Sequence, residues 1–433
     1  MVFDSSALDA AIDRGAERAF AFLSRLISAP STVGSEGQAL EVFATELEGM
    51  GFQTGKIFLP SDIGADPRAG VAQSIEGDRY DVLATLGPTS GPSLLLNGHI
   101  DVVPADSPQR WSSPPFEPRR EGQRLFGRGA GDMKCGFAMG TLALRALLEV
   151  FPQFLTGPLS FLAVIEEECT GNGTLAAASQ GVLADAVVLL EPTDLDIMLG
   201  GVGVMWCDID VVGHSTHAES AHLAINPVDL VYRLVEGLRR WSDTLRDDYP
   251  DAALASAESP YNLNIGHIQA GDWPSSVPAE ATVRLRFGFP RAWSPDDAER
   301  EIRTAVAAIV NQDGGFPVEP LVRLSGFRAP GYLLADDHPL TRAMVQAHAQ
   351  AHGVEPRTFA MGSTTDARIY LNYFDVPALC YGPAASNIHG IDESVDLDSL
   401  VAGARTLARF LVNWYAPKTE TDDRLTETGS VPR

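Results

Sequence analysis

Asn97-Gly98-His99-Ile100-Asp101-Val102-Val103-Pro104 follows an apolar run, Pro92-Ser93-Leu94-Leu95-Leu96, that reads as a buried strand. A His and an Asp one residue apart stand where that strand ends, and strand alternation turns both side chains to the same side. His99 could bind a metal through one ring nitrogen while Asp101 holds the imidazole or acts as an acid behind it. A strand end capped by two polar residues would explain the same letters. The rest of the chain has to decide between the two.

The chain has 433 residues, enough for two or three domains and a sizeable core. Its apolar share of 45% and charged share of 21% are those of an ordinary globular protein. Net charge is −25, from 57 acidic and 32 basic residues, which argues against nucleic acid or anionic membrane surfaces as partners. A solvated acidic surface explains most of that charge, and it also suits a cationic substrate or a metal cofactor. Cys135, Cys169, Cys207 and Cys380 are far apart and form no Cys-x-x-Cys pair, so reduced thiols are expected rather than a disulfide framework or a thiolate metal site. Met1-Val2-Phe3-Asp4-Ser5-Ser6 lacks the basic start and apolar core of an export signal. No apolar run reaches the roughly 18 residues of a membrane span. A cytoplasmic location is expected.

Helical periodicity covers residues 5–28 and 38–48, and strands are expected near 81–86 and 93–98. Residues 60–79 read as an irregular excursion. A glycine-rich segment, Gly127-Arg128-Gly129-Ala130-Gly131-Asp132-Met133-Lys134, leads into an apolar helix from about 137 to 150. It lacks the Gly-Lys-Ser/Thr ending of a phosphate loop, so an acid delivered by a close-approaching backbone suits a cation better. Strands at 158–165 and 186–190 run into Glu166-Glu167-Glu168 and Glu191-Pro192-Thr193. Carboxylates at the carboxyl end of buried strands are costly unless paired, hydrated or metal-bound, and that is where open α/β sheets place their sites. From about residue 200 the pattern changes to alternating strands and two helices in β-α-β-β-α order, an antiparallel sheet with helices on one face. The expected fold is α/β: a mixed-sheet catalytic domain over 1–199 and 326–417, an inserted α+β domain over 200–325, and a disordered polar tail over 418–433.

His389, in Asn387-Ile388-His389-Gly390-Ile391-Asp392-Glu393, adds an imidazole in a loop beside acids. His99, Asp132, the Glu166–Glu168 run, Glu191 and His389 thus offer imidazole and carboxylate without thiolate, a donor set for Zn²⁺, Mn²⁺ or Co²⁺. They exceed what one tetrahedral ion needs and suffice for two ions sharing a carboxylate, an arrangement suited to hydrolysis.

These motifs, in this order and spacing, resemble the M20 or aminoacylase-type family of dizinc metallopeptidases and deacylases, in particular its acetylornithine deacetylase and succinyl-diaminopimelate desuccinylase branch. The resemblance spans residues 5–415. It implies a zinc-exopeptidase-like catalytic domain with a ferredoxin-like lid and dimerisation domain, two bound zinc ions (cobalt or manganese as alternatives) and a homodimer formed through the lid. It implies that His99 and Glu191 bind one ion, Glu168 and His389 the other, with Asp132 bridging and Asp101 orienting His99. Glu167 would be the general base. The family's first acid is an Asp where this chain has Glu166, so a register with Glu166 as base and Glu167 as ligand stays open. His217, in Gly213-His214-Ser215-Thr216-His217, would reach the partner's site and stabilise the oxyanion, and Asn226 keeps the family's spacing from it as a substrate-binding residue.

The implied activity is hydrolysis of the amide bond in a small N-acyl amine or N-acyl amino acid. The family's carboxylate-gripping Arg falls near Gly288, and Ser275 stands where its lid has an Asn, so Arg286 and Arg368 are the substitute candidates. These departures leave room for an N-formyl-aminopyrimidine deformylase-like activity, and for a dipeptidase or carboxypeptidase on the same centre.

Overall fold

The computed structural model describes residues 4–255 and 257–416. The tail expected over 418–433 lies outside the described residues. The chain builds a nine-stranded mixed sheet, and the opening motif ends one of its middle strands. In spatial order its main path runs Gln53–Phe58, Tyr80–Leu86, Leu159–Val164, Leu94–His99, Val187–Leu189, Ala378–Cys380, Ile197–Gly201 and Tyr332–Leu333, and Thr358–Met361 pairs beside Ile197–Gly201. The four strands from Leu159–Val164 to Ala378–Cys380 are mutually parallel, so their carboxyl ends open on one edge. The outer strands Gln53–Phe58 and Tyr80–Leu86 run antiparallel.

Strand Leu94–His99 is buried along its whole length, as its unbroken leucines require. Helices Ser5–Ile27, Gly37–Glu48, Lys134–Val150, Pro339–His352 and Leu397–Tyr415 cover one face of the sheet and share its largest apolar core. Helices Asn172–Ser179 and Ala367–Tyr373 cover the other. Phe43, Phe137 and Phe161 interlock at ring separations of 4.9 to 5.7 Å beneath the motif. Gly136 lets the first turn of Lys134–Val150 lie on the strand end, since a Cβ there would collide with the Leu190 carbonyl oxygen.

The second sheet has four antiparallel strands in the order Leu263–Ala270, Glu280–Phe289, Gly203–Val212, Leu321–Ala329. Helices Pro227–Asp248 and Pro295–Asp313 pack on one face of it. The chain order is thus β-α-β-β-α-β, the ferredoxin-like arrangement. Its fourth strand, absent from the sequence reading, continues past residue 325. Strand Gly203–Val212 is central and mostly buried rather than half-exposed: its outward Asp208 and Asp210 are neutralised by Arg284 and Arg323 on its two neighbours.

A third, small sheet orders Ala385–Ser386, Ser394–Asp396, Arg124–Phe126 and Arg119–Glu121. It lashes the glycine-rich segment to the His389 loop.

Within the helical layer, His348 bonds the Tyr381 hydroxyl at 2.9 Å. Burial, and the His352 ring 4.5 Å away, push its imidazole down to about 4. In the unfolded chain the group titrates near its ordinary value of about 6.5, so below that pH protons favour unfolding. Stability is expected to be unaffected by this group above about pH 6.5 and to fall as pH drops toward 4. Urea unfolding of His348→Gln across that range should show a flatter pH dependence than wild type, and an identical slope would contradict the assignment.

Candidate metal centre

Four adjacent parallel strands deliver acids and imidazoles to one edge. His99 closes the strand Leu94–His99, the Glu166–Glu168 run follows Leu159–Val164, Glu191 follows Val187–Leu189, and His389 lies in the loop beyond Ala378–Cys380. Asp132 arrives from the glycine-rich segment just ahead of Lys134–Val150. Lys134 pins that helix start by donating to the carbonyls of Leu26 at 2.7 Å and Ala29 at 3.1 Å.

The side chains form two donor sets, His99–Asp132–Glu191 and Asp132–Glu168–His389, each with its ligand atoms within 4.8 Å of one another. Asp132 belongs to both: Oδ1 lies 3.0 Å from His99 Nε2, and Oδ2 lies 3.4 Å from His389 Nε2. Glu191 Oε2 is 3.8 Å from His99 Nε2, and Glu168 Oε1 is 3.1 Å from His389 Nε2. His99 Nδ1 sits 2.8 Å from the main-chain oxygen of Asp101. That carbonyl can only accept, so Nδ1 carries the proton and Nε2 is left as the donor atom facing the acids.

The alignment of Asp101 differs from expectation. Its carboxylate is 3.8 Å from His99 Nδ1 and instead accepts from the amides of Glu167 at 3.2 Å and Glu168 at 3.1 Å. The main chain of Asp101 orients the imidazole, and its side chain shapes the glutamate loop.

Glu166 turns away from both donor sets. It has a left-handed backbone (φ 63°), bonds Arg79 at 3.2 Å and accepts from the Thr170 hydroxyl at 2.7 Å, while Arg79 also holds Glu36 at 2.7 Å. Its carbonyl takes the amides of Thr170 and Gly171. Glu168 belongs to the Asp132–Glu168–His389 set, and Glu167 is buried next to it in the chain. Arg79 lies in the stretch read as irregular, where nothing in the letters marks it.

Electrostatics describe a site short of positive charge. Burial pushes the carboxyls of Asp101 and Glu191 up to about 8 and raises Glu167 well above the carboxylate range. Burial would depress His389, but hydrogen bonds to Asp132 and Glu168 outweigh it and lift the imidazole to about 11. Burial likewise opposes charge on Asp132, and its bonds to His389 and His99 still hold it well below its usual range. Divalent cations would supply the missing charge, and imidazole with carboxylate suits them. The residues therefore fit two metal ions.

The remaining candidates lie elsewhere. Arg368 is buried and spends its guanidinium on the carbonyls of Thr365 and Thr170, both at 2.9 Å, and on Asp366 at 3.3 Å. This occupies its donors within the protein, against the expected substrate contact. Arg286 bonds Asn262 and donates to the Gly362 carbonyl at 3.0 Å, tying the inserted domain to the main one. Asn226 caps the helix Pro227–Asp248 through the Val228 amide at 3.0 Å. His217 is exposed on the inserted domain, its ring nitrogen accepting from the Glu219 amide at 3.2 Å, and it is in neither donor set.

The profile of peptidase family M20/M25/M40 matches residues 95–413. The fold is similar to that of the di-peptidase Dug1p from Saccharomyces cerevisiae, with TM-score 0.79, 15% identity and 96% of this chain against 100% of that one. Human carnosine dipeptidase 1 gives TM-score 0.76 at 15% identity over 95% and 100% of the two chains. The M20 family metallo-carboxypeptidase Sso-CP2 from Sulfolobus solfataricus gives 0.69 at 18% over 92% and 99%. The family match covers most of the chain and, with two carboxylate–imidazole donor sets at the sheet edge, makes the protein a metal-dependent amide hydrolase. The chain belongs to peptidase family M20/M25/M40. Among the described residues no helix is long and apolar enough to cross a membrane.

Arg79→Met would leave Glu36 and Glu166 buried without their cation. A loss of about 3–5 kcal/mol is expected in urea unfolding, and an unchanged midpoint would contradict the role of Arg79 as the cation between these two acids.

Proposed function

We propose that this M20 hydrolase cleaves the amide bond of a small N-acyl amine or N-acyl amino acid, in the manner of the acetylornithine deacetylase and succinyl-diaminopimelate desuccinylase branch. The observation that supports a two-metal amide hydrolase is the carboxylate of Asp132 shared between two donor sets, with the buried Glu167 next in the chain to Glu168. His99, Glu191 and Asp132 would hold one divalent cation and Glu168, His389 and Asp132 a second, zinc first and cobalt or manganese as alternatives. When bound, such a pair supplies Lewis acidity toward water and an amide carbonyl.

The chain's own groups do the rest. Glu167, raised by burial, takes the proton of the attacking water and returns it to the leaving amine. Asp101 holds the amides of Glu167 and Glu168 and so fixes where that carboxyl stands. His217 stabilises the oxyanion from the lid of a second copy of the chain, which makes the working unit a homodimer. Arg286, at the seam between the domains, is the remaining candidate for a substrate carboxylate. The cysteines are unpaired and buried, which supports a reducing, cytoplasmic setting. The names of the similar structures bring in a second reading, a dipeptidase or carboxypeptidase, because a dipeptide presents the same amide beside a carboxylate.

A panel of N-formyl, N-acetyl and N-succinyl amines plus dipeptides, scored for amine release, separates these readings. Activity should disappear on chelation and return with added metal. Glu167→Gln should keep its metal and lose turnover by about 10²-fold or more. Chelator-resistant release, or near-normal turnover in the variant, would sink the proposal.

A further inference from the structure

A buried ion pair outside both donor sets joins the loops that carry Asp132 and His389. Arg128 and Glu393 are 1% and 0% exposed and meet at 2.5 Å. The second oxygen of Glu393 accepts from the amides of Gly131 at 2.8 Å and Asp132 at 2.9 Å. The other arm of Arg128 donates to the carbonyls of His389 at 3.3 Å and Gly390 at 3.2 Å. The Trp111 ring lies 5.1 Å from the guanidinium and closes the site behind it.

The His389 loop needs such a restraint. Asn387, His389 and Asp392 all have left-handed backbones, with φ of 56°, 62° and 55°. Asn, His and Asp enter that region more readily than other non-glycine residues, but three of them within six positions still mark a loop held by its surroundings. The His389 side chain is 49% exposed, so apolar packing does not fix it. The strand pairing of Ser394–Asp396 with Arg124–Phe126 anchors the loop's exit, and Arg128 takes the carbonyl of His389 itself.

We infer that Arg128 and Glu393 form a positioning clamp that sets the distance between the bridging carboxylate of Asp132 and the imidazole of His389, and so builds the Asp132–Glu168–His389 set in particular. The inference rests on the two-metal reading above. The His99–Asp132–Glu191 set keeps two of its three ligands on strand ends that the clamp does not touch. Loss of the clamp therefore unbalances the pair of sites.

The test is equilibrium dialysis of the metal-stripped full-length chain against Zn²⁺ and, separately, Co²⁺, counting ions bound per chain. Wild type should bind two. Arg128→Lys keeps the charge but cannot reach Glu393 and two carbonyls at once. Its weaker site should lose about 10–100-fold in affinity while the stronger stays near wild type, leaving one ion at limiting metal. The double variant Arg128→Met/Glu393→Gln leaves no unpaired buried charge and should fold and show the same split. Two ions bound with wild-type affinities in both variants, or equal weakening of both sites, would overturn the clamp while leaving the two-metal reading intact. A wild-type chain that binds no ion would overturn that reading and the clamp with it.

Discussion

The structure turns on the burial of several carboxylates at one edge of a parallel sheet. Asp101, Glu167 and Glu191 are all buried, and each is raised by desolvation. Such groups repel one another and are poorly solvated, so the fold holds them only through fixed donors around them. The amides of Glu167 and Glu168 serve Asp101, those of Gly131 and Asp132 serve Glu393, and Arg79 and Arg128 each neutralise an acid at the margin. What this shell leaves without fixed donors is the centre itself, where two carboxylate–imidazole sets suit divalent cations.

The inserted domain meets the main one through an apolar cluster that includes Leu254, Tyr261, Phe327 and Ala360, with polar contacts beside it. Arg286 reaches the Gly362 carbonyl, and the Val71 amide donates to Gly326 at 2.8 Å. Gly70 fits between Thr170 and Gly326, where a Cβ would come within 3.0 Å of the Gly326 carbonyl. Thr170 follows the glutamate loop, so this contact lies two residues beyond Glu168. The segment expected to be an excursion is a strap between the inserted domain and the glutamate loop.

The candidate ligands stood out together rather than singly: a His or an acid at the end of one apolar run has several uses, whereas five such positions in one α/β domain have few. The fold class was legible because long apolar helices and leucine-rich strands keep their periodicity. Strand Gln53–Phe58 was not, because it lies at the sheet's edge and its Gly55 and Lys56 break any pattern. Strand Leu321–Ala329 hides behind the register shift between Leu324 and Arg328. Arg79, Arg128 and Glu393 act through partners far away in the chain, and no local spacing announces that. Asp101 shows a subtler limit: alternation placed its side chain beside His99 correctly, yet the shorter bond to the imidazole comes from its backbone.

The strand order has a consequence for how the molecule comes into being. The first donor set draws on residues 99 to 191, whereas the second must wait for His389. Between them the chain has to make and dock the whole inserted domain, then return to lay Ala378–Cys380 beside Val187–Leu189. During synthesis the residues of the first set emerge well before His389, while Asp132 gains its contact with Glu393 only once the last part of the chain is made. Contacts of such long sequence separation form slowly, so completion of the second set reports that the last part of the chain has found its place.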